Sequence, residues 1–292
     1  MSDIVKIAVI GGSGLYDLPE LSDVTEQKID TPFGTTSSPI TIGTLDGKRI
    51  AFLARHGAGH VLSPALIPQR ANIYALKSLG VRFIISANAC GSLREAIAPG
   101  HIALPDQIID YNIGTRERSF FNEEGLIAHV SVAAPFDDYL CQQLSKSLKA
   151  VGATVHDGGT FLIEDGPRFA TRAESHMFRT WGCDLIGMTA APEAFLAREA
   201  EIAYASVAHV TDYDSWHEDE EPVTVDIVLK TVSQNVTYIK QAIVHLMQTF
   251  DLNIETPAHT ALQAAITTQS SAITEQAKER LYHVVKRVLD LP

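Results

Sequence analysis

The chain of 292 residues is 46% hydrophobic and 20% charged, with 19 Gly and 13 Pro, which excludes a disordered tail, a collagen-like repeat and a coiled coil. Its 35 acidic residues outweigh 23 basic ones for a formal net charge of −12, and the basic residues are scattered, so no nucleic-acid partner is expected. Any anionic ligand has to be held by a few local donors working against the global field.

Three widely spaced cysteines, Cys90, Cys141 and Cys183, fit neither a disulfide framework nor a CxxC metal site. With no leader-like start and no apolar run of membrane-spanning length, the expectation is a cytoplasmic protein with no membrane contact.

In chain order, residues 4–10 (IVKIAVI) predict a buried strand that ends on Gly11-Gly12-Ser13-Gly14, where missing side chains let backbone N–H groups converge on an anion. A dinucleotide fingerprint would need Gly where Asp17 stands, and a nucleophile elbow would need Gly in place of Leu15. Strands are expected at 39–44 and 49–54, the second running into Arg55-His56, a planar fork of donors beside an imidazole. Segment 68–79 predicts a helix, with Pro68 at its start and Gly80 just past its end. The strand at 82–87 leads into Ser86-Ala87-Asn88-Ala89-Cys90-Gly91-Ser92, a run of small residues with backbone donors at the strand terminus; Cys90, with no base partner to name, reads as a packing residue. A strand at 101–105 follows.

The second half repeats the alternation: helix 136–151, strand 159–164, helix 172–181, strand 184–188, a helix from Pro192 and strand 202–210. Phe169 sits in a charged turn, either as core or as a stacking surface for a planar base, and Met188-Thr189 ends the short strand. Thr211-Asp212-Tyr213-Asp214 places two carboxylates at i and i+2, on one side of an extended segment. That pair suits glycoside hydrolysis or the gripping of an amino-bearing heterocycle. The residues from His217 to Glu221 read as a solvated acidic loop.

A long helix is expected over 223–250, a break at 251–259, and a final helical stretch over 271–290 whose Ala272, Ala277, Leu281, Val284, Val285 and Val288 form an apolar stripe. The expected fold is α/β: a single domain over 1–250 with a central mixed sheet flanked by helices, and a C-terminal helical extension over 251–292 packing on the body or on a neighbour. Ligands in such folds collect at loops beyond the strand C-termini.

Taken together and in this order, IGGSGL near the start, DTPFG at 30–34, LARHG at 53–57, QRANIYALK at 69–77, ACGSLRE at 89–95, GPRFATRAESHMFRTWG at 166–182, GMTAAPEA at 187–194 and TDYDSW at 211–216 resemble the 5′-methylthioadenosine phosphorylase branch of the purine nucleoside phosphorylase family. The resemblance covers about residues 5 to 248. It implies phosphorolysis of 5′-methylthioadenosine to adenine and 5-methylthioribose 1-phosphate, with inorganic phosphate as co-substrate and neither metal nor cofactor. It further implies that Ser13, Arg55, His56, Asn88, the Ala89 backbone and Thr189 bind phosphate. Met188 and Phe169 would lie near ribose and base, and Asp212 and Asp214 would hold the purine; with His56 they are the expected catalytic residues. A homotrimer is implied, with His129 lent to a neighbouring subunit's site.

This chain departs from the pattern at Asn88, where relatives often have Thr, and at Ala170, where some have Ser. With Val225 and Val228, Ala170 would leave a small apolar 5′ pocket that favours a methylthio group, adenosine being a further substrate. The chemistry has its own logic: breaking a ribosyl–purine bond builds positive charge on the sugar and negative charge on the base. Phosphate answers the first, and a protonated Asp212 near purine N7 answers the second. Asp214 as a carboxylate accepts from a 6-amino group and repels a 6-oxo group, which argues against the alternative of a 6-oxo purine nucleoside or methylthioinosine phosphorylase. A non-catalytic adenine nucleoside-binding module is the second alternative.

Overall fold

The computed structural model describes residues 4–12, 15, 18–114, 116–217 and 225–292, excluding the side chains of 225–230. The first half comprises β1 (Ile7–Gly11), β2 (Ser22–Gln27), β3 (Asp30–Thr31), β4 (Gly34–Thr35), β5 (Ile40–Leu45), β6 (Lys48–Ala54), α1 (Gln69–Ser78), β7 (Phe83–Ser92), β8 (Ile102–Leu104) and β9 (Gln107–Tyr111). The second comprises α2 (Asp138–Ala150), β10 (Val155–Asp157), β11 (Thr160–Glu164), α3 (Arg172–Thr180), β12 (Leu185–Gly187), α4 (Ala190–Glu199), β13 (Ala203–Asp212), α5 (Val225–Thr249), α6 (Glu275–Arg280) and α7 (Tyr282–Val285).

Every residue of β1 is buried because both of its faces are covered. Ala8 and Ile10 pack with Ile73, Leu76 and Leu196 from α1 and α4, while Ile7 and Val9 pack with Leu144, Ile243 and Leu246 from α2 and α5. A strand clad on both faces needs a continuous apolar run rather than alternation, as in IAVIG. Strands run in the order β10-β8-β13-β7-β1-β6-β5-β2, with parallel pairing at β1–β6, β1–β7 and β7–β13 and antiparallel pairing at the β5 edge.

β7 is where the sheet branches. Phe83 to Ser86 pair with β1, whereas Gly91 and Ser92 at its far end pair antiparallel with β12, which continues to β11 and β9. Beyond Ser86 β7 has no pairing with β1, and it is from this stretch on that the site residues gather. Ala89 is exposed there in the middle of an otherwise buried strand.

Local signals set the helix starts. Asp137 accepts from Leu140 N at the head of α2, and Thr171 with Glu174 closes a capping box on α3. The tail departs from the expected single stretch over 271–290. It divides into a turn at Ser270–Ala272, α6 and α7, because Thr274 caps a new helix through Ala277 N and Leu281 leaves helical geometry between α6 and α7. Ala272 is exposed, but Ala277, Leu281, Val284 and Val285 are buried against α1 and α4 in the same core as Ala8 and Ile10. Glu201 fixes this tail by accepting from Leu262 N and from the Arg287 guanidinium. Among the described residues no helix is long and apolar enough to cross a membrane.

Candidate active site

Two polar clusters lie along β7. The first begins where β6 ends. Arg55 N donates to Gly11 O, which sets the end of β6 beside the glycine loop. The Arg55 side chain turns inward, only 2% of the residue exposed. Its Nε reaches Glu193 Oε2 at 2.8 Å, Nη2 reaches Glu193 Oε1 at 2.9 Å and also Ser86 Oγ, and Nη1 reaches Ala87 O at 3.1 Å. Ser86 and Tyr204 donate to the same Glu193 carboxylate. Burial disfavours both charges, yet their mutual attraction prevails, holding the Arg55 pKa above its usual value and that of Glu193 below. Four of the five N–H groups of Arg55 are thus used inside the protein, leaving one on Nη1.

Asn88 lies on the neighbouring position of β7. Its amide nitrogen donates to Ser86 O, Ser86 Oγ and Ser206 Oγ, and Thr189 Oγ1 donates to its Oδ1 at 3.0 Å. The Ser86 carbonyl fixes this orientation, since a flipped amide would set oxygen against oxygen. Asn88 therefore faces protein partners and orients Thr189, whose carbonyl is held by Gln69. His56 is half-buried, with Nδ1 2.8 Å from Leu62 O, so that nitrogen carries the proton and Nε2 is left as an acceptor. Burial pulls its pKa down to about 4, against the Leu62 bond. His60 stacks on it at 4.3 Å.

The second cluster lies about 10 Å further along β7, three residues on at the strand rise of ~3.3 Å. Gly91 pairs with Asp212, and a Cβ at Gly91 would stand 3.0 Å from Asp212 Oδ1 and 3.1 Å from Asp214 Cβ. The acid pair is not extended throughout as the sequence spacing suggested. Asp214 adopts φ 52° and Asp212 Oδ1 accepts from its N–H, so a tight turn brings the carboxyls together. Asp212 Oδ2 accepts from Thr211 Oγ1, and Ser215 Oγ donates to Ala170 O, joining the turn to the Phe169 loop. Burial raises the Asp214 pKa to about 6, opposed by the Ser175 hydroxyl and Ser215 N–H and reinforced by Asp212. Glu164, at the end of β11, is 7% exposed, and burial with the nearby Asp214 charge raises its pKa to about 7.

Phe169 is 46% exposed, Ala170 and Thr189 are buried, and Met188 is half-buried against Gly166. Ser13 lies outside the described residues, as do the side chains of Val225 and Val228. His129 is exposed, on a segment held by Ala265 O and by the Ala128–Ile266 bridge. Cys90 is buried and burial drives its thiol pKa well up, which removes it as a nucleophile. A cleft of about 910 Å³ between Leu104, Phe136, Tyr139 and Lys149 contains none of these residues.

Sequence reasoning missed Glu193 and Glu164, and took Ser86 only as part of a run of small residues. An acid in the small-residue run TAAPEAFLA was the available signal for Glu193, since a cation carried on a buried strand end requires a buried counter-charge.

A central mixed sheet that branches beside an acid pair and a buried guanidinium defines an enzyme-type site at the carboxyl ends of strands. Residues 6–247 match the family model of the Phosphorylase superfamily, and the chain belongs to that superfamily. It is 51% identical over 281 residues, 96% of this chain and 97% of the relative, to the S-methyl-5′-thioadenosine phosphorylase of Chloroflexus aurantiacus. It is 48% identical to that of Geobacter sulfurreducens, covering 94% and 96%. Among solved structures it is similar to a methylthioadenosine phosphorylase from an antarctic soil metagenomic library, with TM-score 0.92, 42% identity and coverage of 97% and 99%. It is also similar to a Schistosoma mansoni methylthioadenosine phosphorylase in complex with adenine, with TM-score 0.79, 35% identity and coverage of 85% and 93%.

Proposed function

We propose that the chain catalyses phosphorolysis of 5′-methylthioadenosine to adenine and 5-methylthioribose 1-phosphate, with inorganic phosphate as co-substrate and no cofactor. The observation that carries this reading is the pair of clusters on one strand: donors around Asn88 and Thr189 at one end, and the Asp212–Asp214 turn about 10 Å away. A ribose fits between an anion and a purine held at those two places.

In this reading the phosphate meets the Ala89 N–H, Thr189, His56 and the remaining Arg55 N–H, with Ser13 completing the set. Glu193 and Asn88 act one layer behind, aiming Arg55 and Thr189. Thr189, whose hydroxyl proton now points to Asn88, has to rotate to donate to phosphate. A neutral His56 becomes a donor through Nε2 when the dianion draws a proton onto it. At the other end Asp212, whose two oxygens now accept from Asp214 N and Thr211 Oγ1, has to take up a proton with the nucleoside; it then protonates N7 as the bond breaks, while ionised Asp214 accepts from the 6-amino group. Phe169 and Met188 cover base and ribose, and Ala170, Val225 and Val228 wall the 5′ group.

His129, exposed, suits a group lent to a neighbour in a homotrimer. Three free cysteines suit a reducing compartment, the cytoplasm. The test is adenine release by the purified protein from methylthioadenosine. Release that requires phosphate and no added metal supports the reading, and binding without cleavage would replace it with the binding-module alternative.

A further inference from the structure

We propose that Arg116, which no part of the reading above uses, is the positioning residue that joins the two ends of the site. Its half-buried side chain divides its two terminal nitrogens between two segments. Nη1 donates to Met188 O at 2.6 Å and Ala191 O at 3.0 Å, on either side of Thr189. Nη2 donates to Asp165 O at 2.6 Å and Glu164 O at 3.4 Å, at the root of the loop that carries Phe169. One planar guanidinium thereby satisfies four carbonyls, two from the phosphate side and two from the base side. The Asp165 carboxylate closes the arrangement by accepting from Ile113 N, three residues before Arg116.

Carbonyl oxygens gathered at one point repel one another unless a cation lies among them; the β11–β12 ladder sets the spacing of the two segments as far as Ile163 and Gly187, and beyond it the guanidinium holds them together. A lysine ammonium is a point donor without a fixed fork and cannot span both pairs. Arg116 touches no reacting atom; it acts through Met188, Thr189 and Phe169.

The inference rests on the proposed phosphorolysis for its kinetic part but not for its structural part, and the experiment separates them. Amide hydrogen exchange is measured on the full-length protein and on Arg116→Ala and Arg116→Lys, alongside KM for phosphate and for methylthioadenosine. The expected result is faster exchange in 164–169 and 188–191 together, with β1 and β6 unchanged. Both KM values rise and kcat/KM falls about 10²-fold in Arg116→Ala, the scale of a small misplacement of substrate-holding groups. Arg116→Lys, which keeps the charge should the alanine variant not fold, also fails to restore both KM values. Faster exchange in one segment or neither overturns the proposal, whatever the wild-type activity. So does faster exchange in both with each KM within twofold of wild type.

Discussion

In the proposed reading Asp214 decides which base is accepted, because a carboxylate and a 6-oxo group are both acceptors and cannot share a dry contact. Asp214→Asn is expected to shift the kcat/KM ratio of methylthioadenosine to methylthioinosine toward the inosine compound by at least about tenfold, a modest fraction of what mismatched buried polar groups cost; an unchanged ratio contradicts this role. With its pKa near 6, Asp214 loses its acceptor character as pH falls. The kcat/KM for methylthioadenosine should therefore decline below about pH 6, and a profile flat to pH 5 would contradict that. Glu193 is the counterpart at the other end. Glu193→Gln leaves Arg55 buried with its charge uncompensated, at a cost of about 3–5 kcal/mol in urea unfolding and with a raised KM for phosphate.

The strands and helices around the site were legible from apolar runs and punctuation. IAVIG, the helix bounded by Pro68 and Gly80, and AYASVAHV all formed close to their expected bounds. The branch of β7 was not legible: residues 88–92 read as a loop of small residues, yet they form the end of a long strand whose Gly91 and Ser92 pair with β12. Small residues serve either purpose, and only the partner strand decides. The branch makes Gly91 a sensitive position, since a side chain there meets Asp212 and Asp214. Gly91→Ala should lower kcat/KM for the nucleoside with little change in melting temperature. Equal activity would show that the turn tolerates the displacement. Asn88 and Arg55 were legible as residue types at a strand end, but their partners were not, because those partners come from β13 and α4, far away in the chain.

At the scale of the whole molecule, residues 251–292 form part of the main core rather than an appendage. Leu262, Leu281, Val284 and Val285 complete the same cluster as β1 and α1, and Glu201 holds Arg287. Glu199, whose carboxylate accepts from Phe120 N and Ser119 Oγ, has its pKa raised by burial to about 7. The unfolded chain has already lost that proton above about pH 4.5, so the native state is penalised as pH rises through 7. Urea unfolding at pH 6 and pH 8 should show wild type losing more stability than Glu199→Gln over that interval, and equal losses would remove Glu199 as the cause. His56 and His209 act in the opposite sense at lower pH. Both are held near 4 by burial, so each erodes stability as pH falls below 6.5.

The central claim is that one cavity grips an oxygen-rich dianion and an amino-bearing purine at opposite ends of a single ribose. The most direct measurement is a crystal structure of the protein grown with phosphate and a non-cleavable methylthioadenosine analogue. The account predicts phosphate against Thr189, His56 and the Ala89 N–H, the purine against Asp212 and Asp214, and the ribose bridging them beside Met188. Phosphate and purine bound in separate cavities, too far apart to share one sugar, would contradict it.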